Sequence, residues 1–228
     1  MDILLFDWPF LALAGGVVGW LILLFMPWRA SQRWRDPCWL ACTFLPTYML
    51  HQFEEHGFDL LGRRYHFIVD LCGTLGHADL STCPADRAFI LAVNVGAVWL
   101  AGSLAIIFAR TRPFVGSCAF GICIVNAIAH TGSAVVHGAY NPGVLTSLLL
   151  FAPLSYFIVR SLAVRSLPLV LFCGVITHLT LLAGLLAYSH GYISYGVNLV
   201  VQVVSGLSPL LIAMMVASRS AFVSPSDR

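Results

Sequence analysis

The sequence predicts an all-α fold, a polytopic transmembrane helix bundle of about seven spans, and three observations carry that prediction. The chain is 59% hydrophobic and 10% charged, whereas a soluble domain is about half apolar and a quarter charged. Its mean hydropathy is +0.88. Apolar runs of about 20 residues, the length that crosses a bilayer, recur along the whole chain. No Ser/Pro/Gly-rich linker or long charged run divides it, so residues 1–217 read as a single transmembrane helical domain. The tail 218–228, "SRSAFVSPSDR", reads as disordered and cytoplasmic.

The spans fall near 9–28, 37–56, 85–109, 114–137, 143–161, 167–188 and 196–217. Asp2 and Asp7 precede the first where a secretory signal carries positive charge, so no cleavage is expected. The second opens at "RDPCW", with Asp36 as N-cap and Pro37 at the first helical position, and stops at Gly57. Pro46 within it removes one backbone hydrogen bond and predicts a bend one turn before His51. The outer loop 57–84 is too long for a simple turn, and "LLGRRYHFIVDLC" suits a short interfacial helix or lid. That loop holds Cys72 and Cys83, which pair if it faces an oxidising compartment, while Cys118, Cys123 and Cys173 sit in apolar runs as small hydrophobes. "STCPAD" opens the third span, and "YNPG", a Pro-Gly turn, leads into the fifth.

Charge sets orientation and excludes one class of partner. A net charge of +2, made of twelve arginines, no lysine and ten acids, gives no basic field for nucleic acid. Segments after the odd-numbered spans hold Arg29, Arg33, Arg35, Arg110, Arg112, Arg160, Arg165, Arg219 and Arg228; the other side has Arg63, Arg64 and Arg87. Nine against three predicts the N-terminus outside and the C-terminus in the cytoplasm. Every histidine but His178, which lies near mid-membrane, then falls in the outer part of the protein.

The chain's two glutamates stand side by side in "HQFEEH", residues 51–56, at the end of the second span. At about 100° per residue, His51, Glu54 and Glu55 share one helix face and His56 points away. Ionisable groups within a span cost several kcal/mol, so this pair calls for a cation or shared protons. On the fourth span Asn126, His130, Ser133 and His137 form one polar stripe, with His130 at the depth of His51. Asn94, and Asn198 with Gln202 one turn on, read as interhelical hydrogen-bonding groups that line the same cavity or simply join helices.

Together, "HQFEE" at 51–55, "NAIAH" at 126–130 and "YNPG" at 140–143 resemble the HxxEE-motif family of bacterial integral membrane proteins, described by HxxEE, NAxxH and YxPG in that order. The resemblance implies that His51, Glu54, Glu55, Asn126, His130, Tyr140, Pro142 and Gly143 are the family's positions, and it names no substrate. It also implies a bacterial inner (cytoplasmic) membrane, with the site toward the outer side by the arginine count.

The residues themselves suggest a metal-dependent membrane enzyme, a hydrolase or transferase. His51 and His130 would supply nitrogen and Glu54 or Glu55 oxygen to a divalent transition metal, zinc or iron, since two histidines, a carboxylate and an open position serve both. The other carboxylate would handle a bound water, Asn126 would orient a ligand or steady negative charge, and Tyr140 would donate a proton. His137, Asn94 and Asn198 are candidates for the surrounding layer. The substrate would be a lipid or other amphiphilic small molecule entering from the outer leaflet, with the membrane lipids as surroundings. A metal-free proton relay, or a proton- or cation-coupled transporter or ligand-binding protein, would use the same groups. A di-iron centre would need about four carboxylates, and only two are well placed.

Overall fold

The computed structural model describes residues 2–28, 30–162 and 166–219, and all regular elements among them are helical. The principal helices are α1 (Asp2–Phe25), α2 (Pro37–His56), α3 (His66–Thr74), α4 (Arg87–Ala109), α5 (Pro113–His137), α6 (Val144–Ser161), α7 (Leu167–Ser189) and α8 (Tyr195–Arg219). Six of them, α1 and α4 to α8, are long and apolar enough to cross a membrane. The stretch expected as the second of seven spans does fold, as α2, but His51, Gln52, Glu54, Glu55 and His56 make its C-terminal end more polar than those of the other long helices. The disorder expected for 218–228 lies outside the described residues apart from Ser218 and Arg219, whose backbone continues α8.

α2 lies at the centre because it is wrapped, packing against α1, α4, α5 and α6. Asp36 starts it by accepting hydrogen bonds from the Cys38 and Trp39 amides at 2.8 and 3.4 Å. Gly57 ends it, its N–H donating to the Phe53 carbonyl at 2.8 Å; a Cβ there would run into the Phe53 ring. The helix continues through Pro46, and α1 seats its glycines on that stretch. A Cβ on Gly16 would lie 2.9 Å from the Pro46 carbonyl oxygen, and one on Gly19 would lie 2.8 Å from Pro46 Cβ. Small residues thus let two backbones approach, as membrane bundles require. Inward from the glutamates the core is aromatic, with Trp39, Phe44, Phe120 and Phe151 fully buried.

α1 begins at Asp2, a full two turns earlier than its hydropathy suggested. Pro9 has no N–H to offer the Leu5 carbonyl, and the Tyr65 hydroxyl donates to that oxygen instead, at 2.9 Å. Tyr65 also accepts from Trp8 Nε1 at 2.6 Å, and Arg64 donates to Asp7 at 2.8 Å, so the loop after α2 is tied down to α1. α3 is the short helix expected in that loop, and a Cys72–Cys83 disulfide links it to the approach to α4, with the Cα atoms 5.8 Å apart.

Two wide turns shape the inner walls, π-helical stretches at Ala92–Trp99 in α4 and Ser147–Phe151 in α6. Such insertions are rare and frequent near functional sites. α5 and α7 meet backbone to backbone at Gly121 and Gly174, where a Cβ on either would collide with the other helix's main chain. Gly132 on the same helix α5 has nothing within 4 Å. Gly121→Val is expected to destabilise the protein by about 3 kcal/mol, the upper end of overpacking costs, read as a lowered melting temperature in detergent. Gly132→Ala should leave that temperature unchanged or raised.

Candidate functional site: a buried His–Glu–His cluster

Glu54 and Glu55 leave α2 in different directions and meet different chemistry. Glu54 turns to the segment joining α5 and α6. Its Oε1 accepts from the Tyr140 hydroxyl at 2.8 Å and the Leu145 amide at 3.0 Å; its Oε2 accepts from the Thr146 amide at 2.7 Å and from the Thr146 hydroxyl. Four donors therefore occupy this carboxylate, and it does not join the convergent cluster expected for either glutamate. Glu55, 5% exposed, faces imidazoles only. Its Oε1 lies 3.4 Å from His51 Nε2 and 3.1 Å from His130 Nε2, and its Oε2 lies 3.5 Å from His56 Nε2.

The hydrogen bonds on the far side of each ring fix where its proton sits. Thr146 gives its hydroxyl proton to Glu54, so it accepts from His51 Nδ1, 2.8 Å away, which must carry hydrogen. Asn141 donates its NH₂ to the His130 carbonyl at 2.9 Å, which turns its oxygen to His130 Nδ1 at 2.8 Å. That nitrogen is protonated too. With both rings neutral, both Nε2 atoms present lone pairs to one carboxylate oxygen. His51 is 0% and His130 7% exposed, so three acceptors converge away from water, an arrangement that needs a cation or an added proton. One ligand atom from each of His51, Glu55 and His130 lies within 4.8 Å of the others, as a metal ion would require.

The "YNPG" turn proves to be the scaffold of this site. Tyr140 holds Glu54, Asn141 holds His130, and Gly143, at φ +95°, lies under both rings: a Cβ there would be 2.7 Å from His130 Cε1 and 2.8 Å from His51 Cε1. Positive φ and the absence of a side chain are both required. Burial, with the Glu54 carboxylate beside it, pushes the Tyr140 phenol above the usual tyrosine range.

Other expected positions divide. Asn126 is at the site, donating to the Tyr48 hydroxyl at 2.7 Å, 3.4 Å from His51 Nε2 and 3.2 Å from His178 Nε2 through its oxygen. Asn94 is one step back. Trp99 N–H donates to Gln52 Oε1 at 2.7 Å, Gln52 donates to Asn94 Oδ1 at 3.0 Å, and Asn94 Nδ2 stands 3.3 Å from His56 Nε2. His137 stands apart, exposed and bonded to the Ser133 carbonyl of its own helix. Asn198 is buried but holds Gln202, at 2.7 Å, rather than the cluster. Sequence reasoning turned His56 away, yet it is buried against the second oxygen of Glu55, because that carboxylate reaches sideways from its own position. Thr146 and Asn141 carried no periodic signal and were missed.

Beside the cluster a cavity of about 230 Å³ lies between α2, α4, α5, α7 and α8, with Glu55 and His56 on its wall. Fold and site thus define an all-helical, membrane-type protein with a buried His–Glu–His cluster able to hold a metal ion. Residues 42–158 match the family model described as "Protein of unknown function with HXXEE motif", and the chain belongs to that family. No curated protein and no solved structure matches it.

The two glutamates should respond oppositely to loss of charge. Glu54→Gln places an NH₂ against backbone donors and is expected to cost about 3 kcal/mol, measured as a lower melting temperature in chelator-treated protein. Glu55→Gln, which relieves converging acceptors, should not lower the melting temperature of that metal-free form.

Proposed function

We propose that the protein is a metal-dependent membrane enzyme, a hydrolase or transferase acting on the polar end of a lipid or other amphiphile. The observation that carries this reading is that two of the three edges of the cluster have the length of a tetrahedral ligand set, with all three ligand atoms within 4.8 Å of one another. Ligand atoms each about 2.05 Å from a zinc ion at tetrahedral angles lie about 3.3 Å apart, and the two Nε2–Oε1 separations are 3.1 and 3.4 Å. His51, His130 and Glu55 would hold zinc or iron, with Thr146 and Asn141 orienting the rings from behind, as partners of metal-bound histidines do. The metal would supply a Lewis acid and a water activated near neutral pH.

The chain's own groups divide the remaining work. Asn126 offers an amide N–H beside His51 for a developing negative charge. His56, against the second oxygen of Glu55, is placed to exchange a proton with that carboxylate. Tyr140 keeps its proton on Glu54 and serves as a positioning residue. A transport pathway would need polar groups continuing inward, where the core is Trp39, Phe44, Phe120 and Phe151.

In this reading α2 is a seventh, protein-wrapped span, the N-terminus is outside, and the site faces the outer side of a bacterial cytoplasmic membrane. The arginine distribution supports it, and so does the Cys72–Cys83 disulfide in the loop after α2, since disulfides persist in oxidising compartments.

Purified protein should contain roughly one zinc or iron per chain, and His51→Ala and His130→Ala should each lose it in elemental analysis. Full occupancy in both would remove the metal centre. Asn141→Ala should weaken metal affinity about 10- to 100-fold. A cysteine at exposed Leu61 should react with an impermeant maleimide from outside intact cells; labelling only after lysis would reverse the orientation.

A further inference from the structure

The cavity beside the cluster is apolar over most of its wall, and Glu55, His56 and Asn126 form the polar part beside the cluster. Inward lie Ala97, Val98, Ile122, Thr177 and Gly206, and outward Phe67 and Leu71 of α3 close the top. The polar wall residues mostly spend their hydrogen bonds within the protein: Asn94 on Ile90 and Gln52, His178 on Gly174 and Asn126, Thr177 on Cys173. They leave little to attract water. Gln202 Oε1 is the exception, buried without a partner, and marks where a water or a substrate hydroxyl would sit.

Its dimensions select the occupant. Lining residues on α7 run from Thr177 to Leu185, eight residues apart, which is about 12 Å at the α-helical rise. A volume of about 230 Å³ falls below the roughly 300–1,000 Å³ of sites for drug-sized ligands. Such a space takes one extended hydrocarbon chain and excludes a second. Leu182 both lines the cavity and is 46% exposed on the membrane-facing side of α7, so the cavity reaches the lipid there.

We propose that this cavity binds the tail of a single-chain amphiphile, a fatty acyl or similar linear chain of about ten carbons or fewer inside the protein, entering past Leu182 with its polar end at Glu55. The proposal names the substrate class for the enzyme reading above and rests on it for the chemistry, but chain binding is measurable without metal.

The test uses the full-length chain in detergent, both chelator-treated and metal-loaded, with a fluorescent fatty acid as reporter. Competitors are fatty acids of graded length, a lysophospholipid and a diacyl phospholipid. Single-chain competitors should gain about fourfold in affinity per methylene and level off near ten carbons, with the diacyl lipid at least tenfold weaker. Val98→Phe at the floor should move the plateau to shorter chains, and Leu182→Trp at the opening should slow reporter exchange, both with melting temperature retained. Should Val98→Phe fail to fold, Leu181→Phe serves in its place. A length profile without a plateau, equal competition by the diacyl lipid, or an unchanged profile in the folded variants would overturn the proposal. If chains bind as described while no metal is retained, the enzyme reading fails and the tail pocket stands.

Discussion

Two adjacent carboxylates buried in a membrane-type bundle are the constraint on which the rest of the structure depends. Each must find compensation or carry a desolvation cost of several kcal/mol. The chain solves the two cases differently. Glu54 is satisfied by neutral donors from the start of α6, two of them backbone amides, and becomes a clamp between α2 and the loop before α6. Glu55 meets three imidazoles, His51, His56 and His130, and becomes a site. Neighbouring residues on a helix leave about 100° apart, so one glutamate can serve structure while the next serves chemistry.

The clamp and the site are mechanically one object. Thr146 connects them, taking hydrogen from His51 Nδ1 and giving its own to Glu54. Tyr140 and Asn141, consecutive in the loop, hold Glu54 and His130 respectively, and Gly143 fits beneath both imidazoles. A displacement of this loop would therefore move Glu54, His51 and His130 together. α2, wrapped by four helices, supplies the rigid side against which those groups are set.

Much of the fold was legible because hydropathy and helix punctuation act locally. Asp36, Pro37 and Gly57 mark α2 in the chain as they do in space, and the polar stripe Asn126–His130 faces inward as its spacing required. The limits are equally physical. Nothing in "EE" tells which carboxylate a distant loop will occupy, since that depends on Tyr140 and Thr146, some ninety residues on. Helical projection placed His56 off the motif face but took no account of Glu55 reaching back to it. His137 continued the stripe's period into the last turn of α5, where residues 135–137 are exposed, so the pattern was right and the burial was not. Hydropathy alone separates α2 from the six apolar helices for the reason that makes it interesting, its polar C-terminal end.

What occupies the cluster is constrained by its spacing. A proton shared between an imidazole and a carboxylate draws the heavy atoms to about 2.7–2.9 Å, and it bridges one pair at a time. Here two nitrogens stand 3.1 and 3.4 Å from the same oxygen, the nearer within ordinary hydrogen-bond reach and both near the edge length of a four-coordinate ion. The rings cannot relax toward the oxygen freely, because Thr146 and Asn141 hold them from behind and Gly143 from below. Set in a wall of low polarity, where electrostatic attraction is least screened, these three groups could hold a small cation. The apolar cavity at their side adds the second half of that argument: it limits the water that would otherwise compete for the lone pairs.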